Sequence, residues 1–252
     1  MQIKKFNVYD NPNKAVQDAY EMLTASIHII NDKKRLKTFA LTSCNPEEGK
    51  TSLAISLAIS MAHAGWKVLL VDADMRKPSA AKRLNEGSQV GLSDYLAGDV
   101  ELSDAISETN VANLTYFSCG SDNKNPIELL CSNRFEQLMD KVQGKYDFVL
   151  FDTPALGTVV DGAIIASKVN ATLLIVKSGY TTLTSLKRVK EQLESFNANI
   201  LGVVLNKVKK RDYKMYHRSY NYFFNTNRFL NKKTEKGYLP LDDGTSKNYV
   251  QL

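Results

Sequence analysis

The 252-residue chain lacks long apolar runs: its hydrophobic stretches are short and regularly interrupted, and none approaches the roughly 20 residues that a membrane-spanning helix needs. A chain that does not itself cross a membrane is expected. No apolar run follows the lysines of the leading stretch MQIKKFNVYDNPNK, which argues against a secretory leader and for a cytoplasmic location. Cysteine is also scarce. Cys44, Cys119 and Cys131 are odd in number and show no CxxC spacing, which argues against a disulfide framework and a zinc site and leaves reduced thiols.

What is present is an ordinary globular balance, 43% hydrophobic and 24% charged residues, enough for a buried core. Length favours one α/β domain plus a tail. The net charge of +6 is unevenly placed. Residues 207–252 hold 11 Lys and Arg against 4 Asp and Glu, a net of +7, so the rest carries 22 against 23, a net of −1. The same segment holds six of the twelve tyrosines: Tyr213, Tyr216, Tyr220, Tyr222, Tyr238 and Tyr249. A basic, tyrosine-rich terminus on a neutral body is the most unusual compositional feature.

Apolar spacing over residues 15–30 predicts an amphipathic helix, with Val16, Ala19, Tyr20, Leu23, Ile27 and Ile30 on one side. Strands are expected at KTFALTS (37–43), KVLLV (67–71), NLTYFS (113–118), DFVLF (147–151), ATLLIV (171–176) and ILGVVL (200–205). Helices are expected over 51–64, closed by Gly65, over 126–142, 162–168 and 183–196, and as short pieces at GLSDYLAGD and LSDAISE. Strands separated by helices imply an α/β, doubly wound, mostly parallel sheet with helices on both faces. Ligands of such sheets bind beyond the carboxyl ends of the strands. Candidate chemistry therefore lies just after Ser43, Val71, Phe151, Val176 and Leu205. The period fails beyond Val208, so residues 1–208 read as the domain and 209–252 as a flexible or partner-ordered tail; a last helix packed by Tyr213, Tyr216, Tyr220 and Phe224 is the alternative.

SCNPEEGKT (43–51) matches GxxxxGK[ST] except that Cys44 replaces the first glycine. It sits between a strand and a helix, where a phosphate loop belongs. Backbone N–H groups of Pro46-Glu47-Glu48-Gly49-Lys50-Thr51-Ser52, apart from the proline's, and the helix N-terminus are suited to cradling nucleotide phosphates. Lys50 reaches the β and γ groups, and the Thr51 hydroxyl suits Mg²⁺. Hard oxygen ligands for the metal are expected on the same edge. Asp152, after FVLF and before Thr153-Pro154, has the layout of a Walker B acid, and Asp72 and Asp74 follow VLLV. The residues alone leave open which of Asp72 and Asp74 organises Mg²⁺ and which accepts a proton.

Over residues 12–208 the chain resembles the bacterial protein-tyrosine kinases of capsule and exopolysaccharide systems. PEEGKT is similar to their Walker A motif, VLLVDADMRKP to their Walker A′, and VLFDTP to their Walker B; GLSDYLAG, NPIELLCSNRF, VVDGAIIA and ILGVVLNKV match as well. The resemblance implies an ATP-dependent autokinase on the fold of the partition and cell-division ATPases, with the tail tyrosines as autophosphorylation sites. It makes Asp72 the acceptor of the substrate hydroxyl proton, gives Mg²⁺ to Thr51, Asp74 and Asp152, lets Arg76 stabilise phosphate charge, and puts Asn206 at the base-recognition position. It also implies a membrane activator of the chain-length-regulator type with a cytoplasmic tail, a cognate tyrosine phosphatase, self-association for phosphorylation in trans, and peripheral membrane association through the partner. Two positions depart from relatives. Asn45 stands where partition ATPases carry a signature lysine, and Asp18, Glu21 and Thr24 stand where the kinases carry ExxRxxR for ring assembly. An ATPase switch and a non-catalytic nucleotide-binding adaptor are the competing readings. The basic aromatic tail also suits a solvated terminus or anionic surfaces, but no nucleic-acid motif accompanies it and no nucleic-acid partner is expected.

Overall fold

The computed structural model describes residues 14–76, 90–121, 125–209 and 212. The six tail tyrosines lie outside the described residues. Seven strands, β1 (Thr38–Ser43), β2 (Val68–Asp72), β3 (Ile106–Glu108), β4 (Leu114–Phe117), β5 (Phe148–Asp152), β6 (Ala171–Lys177) and β7 (Ile200–Asn206), form one sheet. Their order is β3-β4-β2-β5-β1-β6-β7. Every neighbouring pair is parallel except β3 with β4.

The central strands are apolar on both sides because both sides are covered. Phe39 and Leu41 of β1, Val68 and Leu70 of β2, Phe148 and Leu150 of β5, and Leu173 and Ile175 of β6 point into one core. Ala40, Leu69, Val71, Val149, Phe151, Leu174 and Val176 point into the other. Period-2 alternation thus divides each strand between two cores. The first is closed by α1 (Lys14–Lys34) and α2 (Lys50–His63), through Ile27, Leu53, Leu57 and Met61. The second is closed by α3 (Leu92–Ala97), α5 (Pro126–Leu130), α6 (Asn133–Lys145), α7 (Asp161–Lys168) and α8 (Leu183–Ser195). Gly65 ends α2 in the left-handed region, φ +96°, as its position predicts.

The sheet switches direction around β1. Connections run from β1 to β2 on one side and from β5 across to β6 on the other, so a crevice opens beyond the carboxyl end of β1. The phosphate-loop sequence follows that end directly.

Two expected helices differ. LSDAISE is helical only over α4 (Leu102–Ala105) and then becomes β3, whose antiparallel pairing with β4 overrides its local pattern. The helix expected over 126–142 is two, α5 and α6, parted at Ser132. Ser132 has extended backbone, ψ 156°, and its hydroxyl donates to the Leu129 carbonyl at 2.7 Å, a local bond that competes with the helical ladder. Thr24 in α1 is buried and donates from Oγ1 to Ser60 Oγ of α2 at 2.9 Å. It faces the chain's own α2, and Glu21 is exposed. Among the described residues no helix is long and apolar enough to cross a membrane.

Candidate active site

The loop from β1 to α2 is braced by a buried acid. The Glu48 carboxylate is fully buried and accepts from the Cys44 N–H at 2.9 Å, from Asn45 Nδ2 at 3.1 Å and from the Thr181 hydroxyl. Thr181 lies 133 positions away, so one side chain ties the loop to the connection between β6 and α8. Charge-assisted bonds of this kind offset the cost of burying the acid. Asn206, the last residue of β7, donates from Nδ2 to the Glu48 carbonyl at 2.9 Å. Lys207 Nζ donates to the Glu47 carbonyl at 2.9 Å.

Close approach explains the glycine. Gly49 has φ +93°, and a Cβ on it would meet Asn206 Nδ2 at 2.3 Å. Gly157 behaves similarly: its Cβ would lie 2.4 Å from the Cys44 carbonyl, because the segment after β5 runs along the loop through Leu156 N–H to Ser43 O at 2.9 Å and Gly157 N–H to Cys44 O at 3.0 Å. Pro46 and Glu47 are exposed at the loop's crest, Thr51 is buried in the first turn of α2, and Ser52 is half-buried beside it. Burial pushes the Cys44 thiol up to about 11 and the Cys119 thiol to about 12, so neither is nucleophilic near neutral pH.

The acids meet at the ends of β2 and β5. Asp72 and Asp152 are register partners on these parallel strands, which sets their side chains side by side on one face. Both are buried, at 1% and 2% exposure. Lys50 Nζ lies 3.1 Å from Asp152 Oδ1. Asp72 Oδ1 accepts from the Asp74 N–H at 3.2 Å. Burial, and then the neighbouring Asp152, push the Asp72 carboxyl up to about 8, which puts its proton affinity close to working pH.

Asp72 Oδ2 and Asp152 Oδ2 have no hydrogen-bond partner among the described residues. Two adjacent buried carboxylate oxygens without donors are costly, and a hard cation or its water shell satisfies both. The donor set therefore fits Mg²⁺. Among the described residues no group of three or more His, Cys, Asp or Glu is arranged to hold a metal ion.

Arg76, which the resemblance assigns to stabilising phosphate charge, is held by a side-chain partner. It donates to Asp161, Nε to Oδ2 at 2.6 Å and Nη2 to Oδ1 at 3.1 Å, a bidentate pair between the turn after β2 and the first residue of α7. Asp161 is buried while the Arg76 side chain is 39% exposed. The structure therefore brings Lys50 to Asp152, sets Asp152 beside Asp72, bonds the Asp74 N–H to Asp72, and pairs Arg76 with Asp161. The braces formed by Glu48, Thr181, Lys207, Gly157 and Asp161 carry no motif signal of their own beyond the stretches in which they occur.

Comparison with known proteins agrees with this geometry. The AAA-domain family matches residues 36–207. The tyrosine-protein kinase CpsD of Streptococcus pneumoniae serotype 4 is 36% identical over 196 residues, 77% of this chain and 86% of that protein. The kinase domain of the Escherichia coli tyrosine kinase ETK superposes with a TM-score of 0.78 at 31% identity, covering 84% of each chain. The septum site-determining protein MinD of Pyrococcus horikoshii, complexed with Mg-ADP, superposes with a TM-score of 0.59 at 26% identity over 70% of this chain and 73% of that one. A two-faced parallel sheet, a glycine-lysine loop at its switch point and paired strand-end aspartates accompany these likenesses, and the chain belongs to the bacterial P-loop tyrosine-protein kinases.

Proposed function

We propose that this kinase transfers the γ-phosphoryl group of MgATP to tyrosines of its own C-terminal segment and thereby regulates capsular or exopolysaccharide synthesis. The observation that carries this reading is the convergence of Lys50, Asp72 and Asp152 beside the phosphate loop. Loop N–H groups and the Lys50 ammonium bind and orient the triphosphate. Thr51, Asp74 and Asp152 would hold Mg²⁺, which would supply positive charge to neutralise the phosphoryl oxygens. Asp72 accepts the phenolic proton as the tyrosine oxygen bonds to the γ-phosphorus. The bond from that phosphorus to the β–γ bridging oxygen breaks, and ADP leaves.

The proposed acceptors are Tyr213, Tyr216, Tyr220, Tyr222, Tyr238 and Tyr249. Each phosphate adds about −1.5 to −2 charges near neutral pH, so a few modifications cancel the +7 of residues 207–252. The family resemblance supports a membrane chain-length regulator as activator, a tyrosine phosphatase that resets the tail, copies of the chain phosphorylating one another, and a cytoplasmic location held at the membrane by the partner.

The likeness to MinD favours a second reading, an ATPase switch without tyrosine transfer. Phosphosite mapping by mass spectrometry separates them. With MgATP and the cytoplasmic segment of the activator, phosphotyrosine is expected within 213–249. ATP hydrolysis with no phosphotyrosine would reject the kinase reading for this chain.

A further inference from the structure

Glu47 is exposed and left-handed, φ +63°, a region that residues with a Cβ enter only at a free-energy cost. Its carbonyl is the one that Lys207 Nζ holds at 2.9 Å. The lysine reaches it across Gly49, where an added Cβ would lie 3.2 Å from Lys207 Cε. Lys207 is left-handed too, φ +55°, and its own N–H donates to Asn206 Oδ1 at 2.8 Å. The turn after β7 thus lays the lysine over the phosphate loop.

Peptide planarity gives this contact a consequence. The carbonyl of residue 47 and the N–H of residue 48 belong to one rigid unit and point in opposite directions. A donor that holds the carbonyl therefore fixes the direction of the N–H. The same holds one unit on, where Asn206 holds the Glu48 carbonyl and so fixes the Gly49 N–H. Two consecutive side chains, Asn206 at the end of β7 and Lys207 just after it, orient two consecutive loop donors.

We infer that Lys207 is a positioning residue for the nucleotide site, its ammonium keeping the left-handed peptide at Glu47 from flipping and so keeping the Glu48 N–H aimed for a phosphate oxygen. The inference rests on the reading of this loop as the nucleotide site. Lys207 touches the loop rather than the reacting atoms, so its loss acts on nucleotide retention and not on the fold. Being a surface contact, it carries a modest effect.

The test uses the full chain with Mg·ADP, its dissociation constant measured by calorimetry and its release rate by stopped-flow with a fluorescent ADP analogue. Lys207→Met is expected to weaken binding about fivefold, equivalent to ~1 kcal/mol, through faster release, with the unfolding midpoint in the absence of nucleotide unchanged. Lys207→Arg, which keeps a cationic donor, is expected to restore binding. Binding by Lys207→Met as tight as that of the unaltered chain overturns the inference, and so does Lys207→Arg binding no tighter than Lys207→Met. If the unaltered chain fails to bind Mg·ADP, the nucleotide-site reading itself fails, a result distinct from either.

Discussion

Glu48 and Asp72 are both acids with almost no solvent contact in one site, yet their surroundings are opposite. Glu48 receives a backbone N–H, an amide and a hydroxyl. Asp72 receives one backbone N–H, faces Asp152, and keeps an oxygen without a donor among the described residues. The satisfied acid fixes the shape of the loop. The unsatisfied one holds free energy that a cation, or a proton from a substrate, can release. Support and chemistry are thus divided between the β7 side of the loop and the ends of β2 and β5.

Several substitutions would break or sharpen that division. Lys50→Met removes the cation shared by Asp152 and the phosphates. Nucleotide affinity and tyrosine phosphorylation are expected to fall by at least about a hundredfold, the scale of a lost charged phosphate contact, as read by calorimetry and phosphosite mapping. An unchanged phosphotyrosine yield would remove Lys50 from the chemistry.

Asp72→Asn tests the unsatisfied side. Asp72 is raised from its ordinary 3.8 to about 8 in the folded chain, so the folded state holds its proton more tightly than the unfolded one. Its contribution to stability is full below about pH 4 and is lost as the pH rises through about 8. In chelator, the unaltered chain is expected to melt at least about 5 °C lower at pH 9 than at pH 6, while Asp72→Asn flattens this dependence and abolishes phosphotransfer. A variant with the same pH slope would place the titration elsewhere.

Glu48→Gln tests the satisfied side. It turns an acceptor into an amide donor among donors already present, and a loss of about 1–3 kcal/mol in stability is expected from thermal or urea unfolding. Stability equal to that of the unaltered chain would show that Glu48 is not the brace. The smallest effect is expected from Arg76→Lys. It keeps the charge but loses the bidentate geometry, and because Arg76 is 39% exposed the cost should stay below about 1 kcal/mol. A large drop in kcat with unchanged stability would instead give Arg76 a direct part in phosphate transfer.

Six of the seven strands, the sheet's two-faced character and the acids at the ends of β2 and β5 are legible because each rests on local pattern: apolar runs such as VLLV and FVLF ending in Asp, and the GKT triplet after a strand. The braces are not. Thr181 is 133 positions from Glu48 and Asp161 is 85 from Arg76, and no short-range period encodes which distant side chain will meet which. Glu48 reads as a nucleotide-binding residue of the loop, and its side chain's bracing contact with Thr181 has no sign in the sequence. The break at Ser132 was hidden for a different reason, since a serine within an apolar helical period gives little sign that its hydroxyl will bond backward to Leu129. Likewise, Thr24 is legible as a missing arginine, but only its contact with Ser60 shows that this position packs inward.

The most direct test of the central claim, that the loop and strand-end acids together hold MgATP, is titration calorimetry of the intact chain with ATP in Mg²⁺ and again in chelator. One nucleotide per chain is expected, bound more tightly with Mg²⁺ and lost in Lys50→Met. No measurable binding to the unaltered chain in Mg²⁺, or equal affinity with and without the metal, would contradict it.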